Sequence, residues 1–223
     1  MEQRKIWSHF QNRRPNVFDQ AQSRHRFLVR RLPPGRILNI GIGSGGLEVM
    51  GAAARRAMYS LDPDHEAVAH AVALGITHAA TGSIEAIPFC DASFDAVVCS
   101  EVLEHLSDDI LQPGLREIRR VLRPGGELHG TVPADENLLE SETVCLCCGA
   151  VFHRWGHEQS FSQERLQSLL QTVGAAKVER RLFVHWPGLN WQSRMAAYLR
   201  LTLAACGMFG SPHVFYFVVR KHG

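Results

Sequence analysis

Two groups of residues in this chain have the types and spacing to do chemistry. The first is Arg36-Ile37-Leu38-Asn39-Ile40-Gly41-Ile42-Gly43-Ser44-Gly45-Gly46, an apolar run that enters a glycine turn ahead of helix-forming sequence. Glycines at 41, 43 and 45 let the backbone turn tightly and approach a ligand without Cβ interference, and the helix behind them offers unpaired N–H groups. Gly41, Gly43 and Gly46 also satisfy G-x-G-x-x-G, so a nucleotide-like ligand is expected here, with a plain structural turn as the bland alternative. The second group is Cys145-Leu146-Cys147-Cys148-Gly149-Ala150-Val151-Phe152-His153-Arg154-Trp155-Gly156-His157, which reads as C-x2-C-x4-H-x3-H. Cys145, Cys148, His153 and His157 would give two thiolates and two imidazoles, a set suited to tetrahedral zinc. Four protein ligands leave no open position, so such an ion would be structural. Gly149 permits the turn a thiolate knuckle needs, and Cys147 is a spare thiol. An unmetallated loop with reactive cysteines is the competing reading.

Alternating elements must position these groups. Apolar runs at 37–40, 58–61, 77–81, 94–99 and 127–132 read as strands, separated by helix-forming segments at 47–57, 64–74 and 110–122. Arg123-Pro124-Gly125-Gly126 stops the last of these helices. Strands and helices alternating at this spacing predict a parallel sheet covered on both faces, with ligands beyond the carboxyl ends of the strands. After Val132 the rhythm breaks into an insertion, residues 134–160, rich in Cys, His and Glu. It resumes with a helix at 163–173, a strand near 177–184 and a last strand at 213–220. Residues 1–35 read as a helical N-terminal extension ending at Pro33-Pro34-Gly35, and 186–210 as a helical insertion before the last strand. Met195, Leu199 and Leu203 share one face of that insertion, read as core cover or a partner groove, or alternatively as an interfacial membrane helix.

Bulk properties narrow the class. The 223 residues fit one decorated α/β domain, and a net charge of +2 with basic residues scattered apart from Arg13-Arg14 and Arg30-Arg31 demands no nucleic-acid partner. No apolar segment follows the polar N-terminus, and no run of 18 apolar residues occurs, so a cytoplasmic protein with no transmembrane segment is expected. Six cysteines, three of them clustered at 145–148, do not resemble a secreted disulfide framework.

Five ordered motifs then decide between cofactors. The glycine turn is followed by Leu61-Asp62-Pro63, by Gly82-Ser83-Ile84-Glu85-Ala86-Ile87-Pro88-Phe89, by Ser93 to Leu106 containing Glu101-Val102-Leu103-Glu104-His105, and by Arg120-Val121-Leu122-Arg123-Pro124-Gly125-Gly126. Together these resemble the class I S-adenosylmethionine-dependent methyltransferases rather than nicotinamide enzymes. The resemblance covers roughly residues 36–132. It implies a Rossmann-like, seven-stranded, mostly parallel α/β sheet with helices on both faces and the last strand antiparallel, spanning residues 36–223.

The resemblance also assigns contacts. Asp62, at the tip of strand two, would accept both ribose hydroxyls, a charge-assisted arrangement, while also being placed to cap the helix after Pro63. Gly41, Gly43 and Gly45 would pass beneath the methionine and ribose, Ser83 and Ile84 would face the adenine, and Ser100 would close the pocket. Two departures stand out: Asn39 and Ser83 occupy positions where relatives usually carry acidic residues. They motivate an alternative, a degenerate, zinc-containing binding or scaffold protein on the same fold. His105 is the candidate base for a hydroxyl acceptor, or else a helix-packing or capping histidine. A rival metal reading comes from a narrower resemblance. Glu101-x-x-Glu104-His105, completed by His157 in Gly156-His157-Glu158-Gln159-Ser160-Phe161-Ser162, is similar to the divalent-metal cluster of some small-RNA 2′-O-methyltransferases and ubiquinone-pathway O-methyltransferases. The sequence reading prefers zinc on the cysteines, and the expected partner is a small-molecule methyl acceptor.

Overall fold

The computed structural model describes residues 6, 8, 9, 13, 21–184, 189–205 and 213–222. Its elements run in the order α1 (Gln22–Val29), β1 (Arg36–Ile40), α2 (Gly46–Ala53), β2 (Ala57–Asp62), α3 (His65–Ala73), β3 (Ala79–Thr81), β4 (Phe94–Ser100), α4 (Asp108–Val121), β5 (Leu122–Pro133), β6 (Glu142–Val144), β7 (Val151–His153), α5 (Gln163–Leu170), β8 (Ala175–Arg181), α6 (Trp191–Ala205) and β9 (Val214–Arg220). Seven strands form one sheet in the order β3-β2-β1-β4-β5-β9-β8. The first five are mutually parallel, and β9 inserts antiparallel to both β5 and β8. This is the expected Rossmann-like sheet with its antiparallel last strand.

The strands form where β-branched and apolar residues run without interruption because both faces of the sheet are covered. On one face, Leu38, Ile40, Val97, Cys99, Leu128 and Phe217 pack with Leu111, Leu115 and Ile118 of α4 and Leu166 and Leu170 of α5. On the other, Ile37, Met58, Ala96, Val98 and Tyr216 pack with Leu28 and Val29 of α1 and Leu47 of α2. The N-terminal extension is therefore bound into the core through α1, while most of residues 1–20 lie outside the described residues.

The order of the strands reverses between β1 and β4. In a doubly wound sheet the loops leaving two such strands diverge to opposite faces, which opens a crevice at their carboxyl ends. The glycine turn after β1 and the loop carrying Glu101, Glu104 and His105 after β4 flank it.

Within the insertion, β6 and β7 form an antiparallel hairpin that pairs Glu142 with His153. In the helical insertion, α6 leaves Met195 and Leu199 63% and 59% exposed, so these residues are not core cover; residues 185–188 and 206–212 lie outside the description. Among the described residues no helix is long and apolar enough to cross a membrane.

Where β5 runs between β4 and β9, a glycine is required by space. A Cβ on Gly130 would lie 2.1 Å from the Cys99 carbonyl oxygen and 2.3 Å from the Phe217 ring. Gly130→Ala is expected to lower unfolding free energy by roughly 2 kcal/mol or more, since neither backbone nor a core aromatic can yield cheaply. An unchanged denaturation midpoint would contradict this packing.

Candidate active site

The glycine turn is built by conformations that other residues rarely adopt. Gly41, Gly43 and Gly45 have φ of 85°, 58° and 74°, in the left-handed region. Asp62 holds the turn in place: its Oδ2 accepts the Ile42 N–H at 2.8 Å and its Oδ1 accepts the Asp64 N–H at 2.9 Å. The side chain is buried at the end of β2, and Gly41 N–H donates to the Leu61 carbonyl beside it at 2.9 Å. Asp62 is not the cap of the following helix. That role belongs to Asp64, which accepts from the N–H groups of Glu66 and Ala67.

Asn39 is explained by a neighbour that sequence reasoning missed. Its Nδ2 donates to Glu48 Oε1 at 2.7 Å and to the Gly41 carbonyl at 3.1 Å, while Ser60 Oγ donates to the same Glu48 oxygen at 3.0 Å. The carboxylate absent from β1 is thus supplied by α2. Its only sequence signal is an acidic residue in the first turn of a helix whose other inward residues are apolar. Burial pushes Glu48 up to about 7, partly offset by the bonds from Asn39 and Ser60.

At the other end of the crevice, Ser83 Oγ bonds Glu85, and Ile84 is buried against Gly114 of α4. The Ile84 side chain is therefore spent on helix packing rather than presented as an open apolar plate. Ser100 Oγ pairs with Thr131 Oγ1 at 2.9 Å, and Thr131 donates to Glu101 Oε1 at 2.8 Å. Glu101 itself has φ of 57°, a strained conformation for a non-glycine residue, directly after β4.

Beyond Glu101 lies a cluster of titratable groups. Glu104, His105 and His157 bring one ligand atom each to within 4.8 Å of one another, as do Glu136, His153 and His157. Bonding partners assign the tautomers. His105 Nδ1 lies 3.0 Å from the Gly156 carbonyl, which only accepts, so Nδ1 carries the proton and Nε2, 3.8 Å from Glu104 Oε1, keeps its lone pair. His153 Nδ1 accepts the N–H groups of Trp155 and His157, so its protonated Nε2 faces Glu136 Oε1 at 3.5 Å. The other oxygen of Glu136 accepts from His157 Nδ1 at 2.5 Å. Burial, then the neighbouring His157, hold His105 well below the usual imidazole range. Glu104 is fully buried, neither of its carboxylate oxygens has a hydrogen-bond partner, and burial followed by the charge of Glu101 drives it well above the usual carboxylate range. His105 closes a short 3-10 turn, Leu103–His105, ahead of α4, rather than starting the helix.

The four-ligand zinc set is not assembled. The β6–β7 register places His153 opposite Glu142, at the base of the hairpin, whereas Cys145 to Gly149 form its tip. His153 lies two residues along β7 from Val151, a rise of about 7 Å. Cys147 and Cys148 are exposed, and no cysteine joins a metal-capable cluster among the described residues. His153 and His157 come together with Glu136 instead. The end of the insertion is tied inward, with the N–H groups of Glu158 and Gln159 both donating to the Glu104 carbonyl, at 2.7 and 2.9 Å.

This sheet order, with a glycine turn and an acidic β2 tip at the β1/β4 crevice, is the class I methyltransferase fold. Residues 38–129 match the family described as "Methyltransferase domain". The chain is 39% identical over 112 residues to a probable S-adenosylmethionine-dependent methyltransferase of Mycolicibacterium smegmatis, covering 46% of this chain and 41% of that one. A ubiquinone biosynthesis O-methyltransferase of Ruegeria pomeroyi is 29% identical over 172 residues, covering 70% and 66%. The chain spans 41–42% of the length of the first curated relatives it matches. A SAM-dependent methyltransferase structure from Thermotoga maritima superposes with a TM-score of 0.68 at 21% identity, over 97% of this chain and 99% of that one.

Glu48 gives this site a pH signature. Its folded value near 7 exceeds its ordinary 4.5, so the folded state holds a proton that the unfolded state releases between those values. Its contribution is then fullest below about pH 4.5 and declines as pH rises to about 7, by roughly 3 kcal/mol. Denaturant titrations of wild type and Glu48→Gln at pH 5 and pH 8 should show the variant gaining relative stability at pH 8. An equal difference at both values would contradict the assignment.

Proposed function

We propose that this chain is an S-adenosylmethionine-dependent methyltransferase acting on a small molecule or biosynthetic intermediate, with oxygen as the receiving atom. The observation that carries the reading is Asp62, a buried carboxylate at the tip of β2 that accepts from the Ile42 N–H of the glycine turn and from the Asp64 N–H, beside the crevice between β1 and β4. S-adenosylmethionine, when bound, supplies a methyl group on a positively charged sulfur. Asp62 accepts from the ribose diol, the Gly41–Gly45 backbone passes close beneath, and Ser83 and Ser100 bound the two ends. Because charge on sulfur disappears during transfer, alignment of the acceptor and exclusion of water are the main tasks left to the protein.

The relatives include both C- and O-methyltransferases, so the choice of oxygen rests on the cluster beside the crevice. A hydroxyl acceptor needs its proton removed or its pKa lowered. Neutral His105, with its Nε2 lone pair beside buried Glu104, supports either route. The residues fit a divalent cation: two imidazoles with a carboxylate whose buried oxygens lack partners, and Glu136 orienting His157 from behind as an outer carboxylate commonly does. Held by Glu104, His105 and His157, such an ion would supply Lewis acidity toward an acceptor oxygen. This replaces zinc on Cys145 and Cys148 as the metal reading. The exposed thiols Cys90, Cys147 and Cys148 suit a reducing, cytoplasmic compartment. The degenerate-scaffold alternative loses one of its two motives once Glu48 supplies the carboxylate that Asn39 lacks.

Titration calorimetry of S-adenosylhomocysteine tests the reading. Wild type should bind, and Asp62→Asn, which keeps an acceptor for the glycine turn, should weaken binding by about 10- to 100-fold through loss of charge-assisted bonds. A folded wild type that binds neither S-adenosylhomocysteine nor S-adenosylmethionine would remove the basis of the enzyme reading. For the metal, elemental analysis after dialysis against zinc or manganese should show ion retained in Cys145→Ser/Cys148→Ser and lost in Glu104→Gln. The reverse pattern would return the site to the hairpin tip.

A further inference from the structure

Helix α6 turns its large apolar side chains away from the fold. Ala197 is buried, and Ser193 and Leu201, four residues to either side of it, are half-buried, so the inward stripe is narrow. Trp191, Met195, Tyr198 and Leu199 are 59–73% exposed. At about 100° per residue these four, with Thr202 among them, fill a sector roughly 100° wide on the side opposite Ala197. Arg194 and Arg200 flank that sector, one on each side, and both are exposed. Among the described residues neither pairs with a carboxylate; Arg194 Nε donates to the Leu189 carbonyl at 3.1 Å. The surrounding sequence is equally one-sided, since no Asp or Glu occurs from residue 180 to Gly223. Arg180 and Arg181 are answered by Asp135 and Glu179, which leaves Arg194 and Arg200 as the charges of α6 itself.

A partner that matches this face is apolar at its centre and anionic at its edges. A bilayer of anionic phospholipid has both properties: Trp and Tyr are favoured where hydrocarbon meets water, and arginine stems reach from an apolar surface to phosphate. A second copy matches less well, because the same face on both sides would bring four arginines together with no carboxylate on either helix. The 15 residues of α6 rise about 22 Å, short of the roughly 30 Å hydrocarbon core, so the helix can lie along such a surface but not cross it. We infer that α6 docks the protein on an anionic phospholipid surface, with Trp191, Met195, Tyr198 and Leu199 among the acyl chains and Arg194 and Arg200 at the phosphates. The connection that carries α6 leaves the sheet at Arg181 and returns at Val214, and Val214 pairs with Pro133 at the carboxyl end of β5. It therefore emerges at the end of the sheet where the crevice opens.

Co-sedimentation of the full-length protein with vesicles tests the inference independently of any cofactor. One set is phosphatidylcholine alone, the other equal parts phosphatidylcholine and phosphatidylglycerol. Wild type should pellet with the mixed vesicles, stay in the supernatant with phosphatidylcholine, and be released as salt rises. Arg194→Gln/Arg200→Gln should weaken partitioning by about 30-fold, the effect of two cations near the surface. Met195→Glu/Leu199→Glu should abolish it with the denaturation midpoint unchanged, because both side chains are exposed. Wild type that pellets with neither vesicle, or equally with both, overturns the inference, as does a Met195→Glu/Leu199→Glu variant that binds like wild type. A wild-type dimer that forms without vesicles and is dispersed by that variant assigns the stripe to a second copy and overturns it as well.

Discussion

The Asp62 carboxylate is the constraint on which the crevice depends. Three left-handed glycines make a turn that the backbone alone does not favour, and Asp62 fixes it to β2 through the Ile42 N–H while holding the start of the β2–α3 connection through the Asp64 N–H. A buried carboxylate is tolerable only with such donors. The group that fixes the glycine turn is thus also the one to which the proposed function assigns the ribose diol.

Around it the protein accumulates buried acids. Glu48 braces β1 and β2 from α2, and Glu104 waits behind the post-β4 loop with no hydrogen-bond partner for its carboxylate. Both are raised by burial, Glu48 against the lowering effect of the bonds from Asn39 and Ser60, and Glu104 with the charge of Glu101 adding to it. The hairpin insertion closes this second region from outside: its Gly156 carbonyl orients His105, and Glu136 orients His157. The β1/β4 crevice is therefore assembled by the sheet, and the titratable cluster beyond it by an insertion docked against it.

That division explains what the sequence made legible. Hydrophobic runs and breaker residues placed β1, β2, β4 and α4 to within a few residues, because each is a local pattern reinforced by two-sided burial. The glycine turn and Asp62 were equally visible, being short motifs at strand ends. The pairing of Asn39 with Glu48 was not, since nothing in a single sequence says that a helical glutamate turns inward. The C-x2-C-x4-H-x3-H spacing misled for a related reason. A spacing rule assumes a loop that can fold back on itself, whereas Val151 to His153 is an extended strand that carries the histidines away from the knuckle. Likewise, Ile84 was read from its motif as a ligand-facing side chain, and Gly114 on the helix opposite claimed it.

The central claim is that the β1/β4 crevice is a nucleoside-sulfur site organised by Asp62. A crystal structure of the protein with S-adenosylhomocysteine tests it most directly. The account expects both ribose hydroxyls on the Asp62 carboxylate and the sulfur facing the loop that carries Glu101 and His105. Ligand density elsewhere, or a ribose turned away from Asp62, would contradict it.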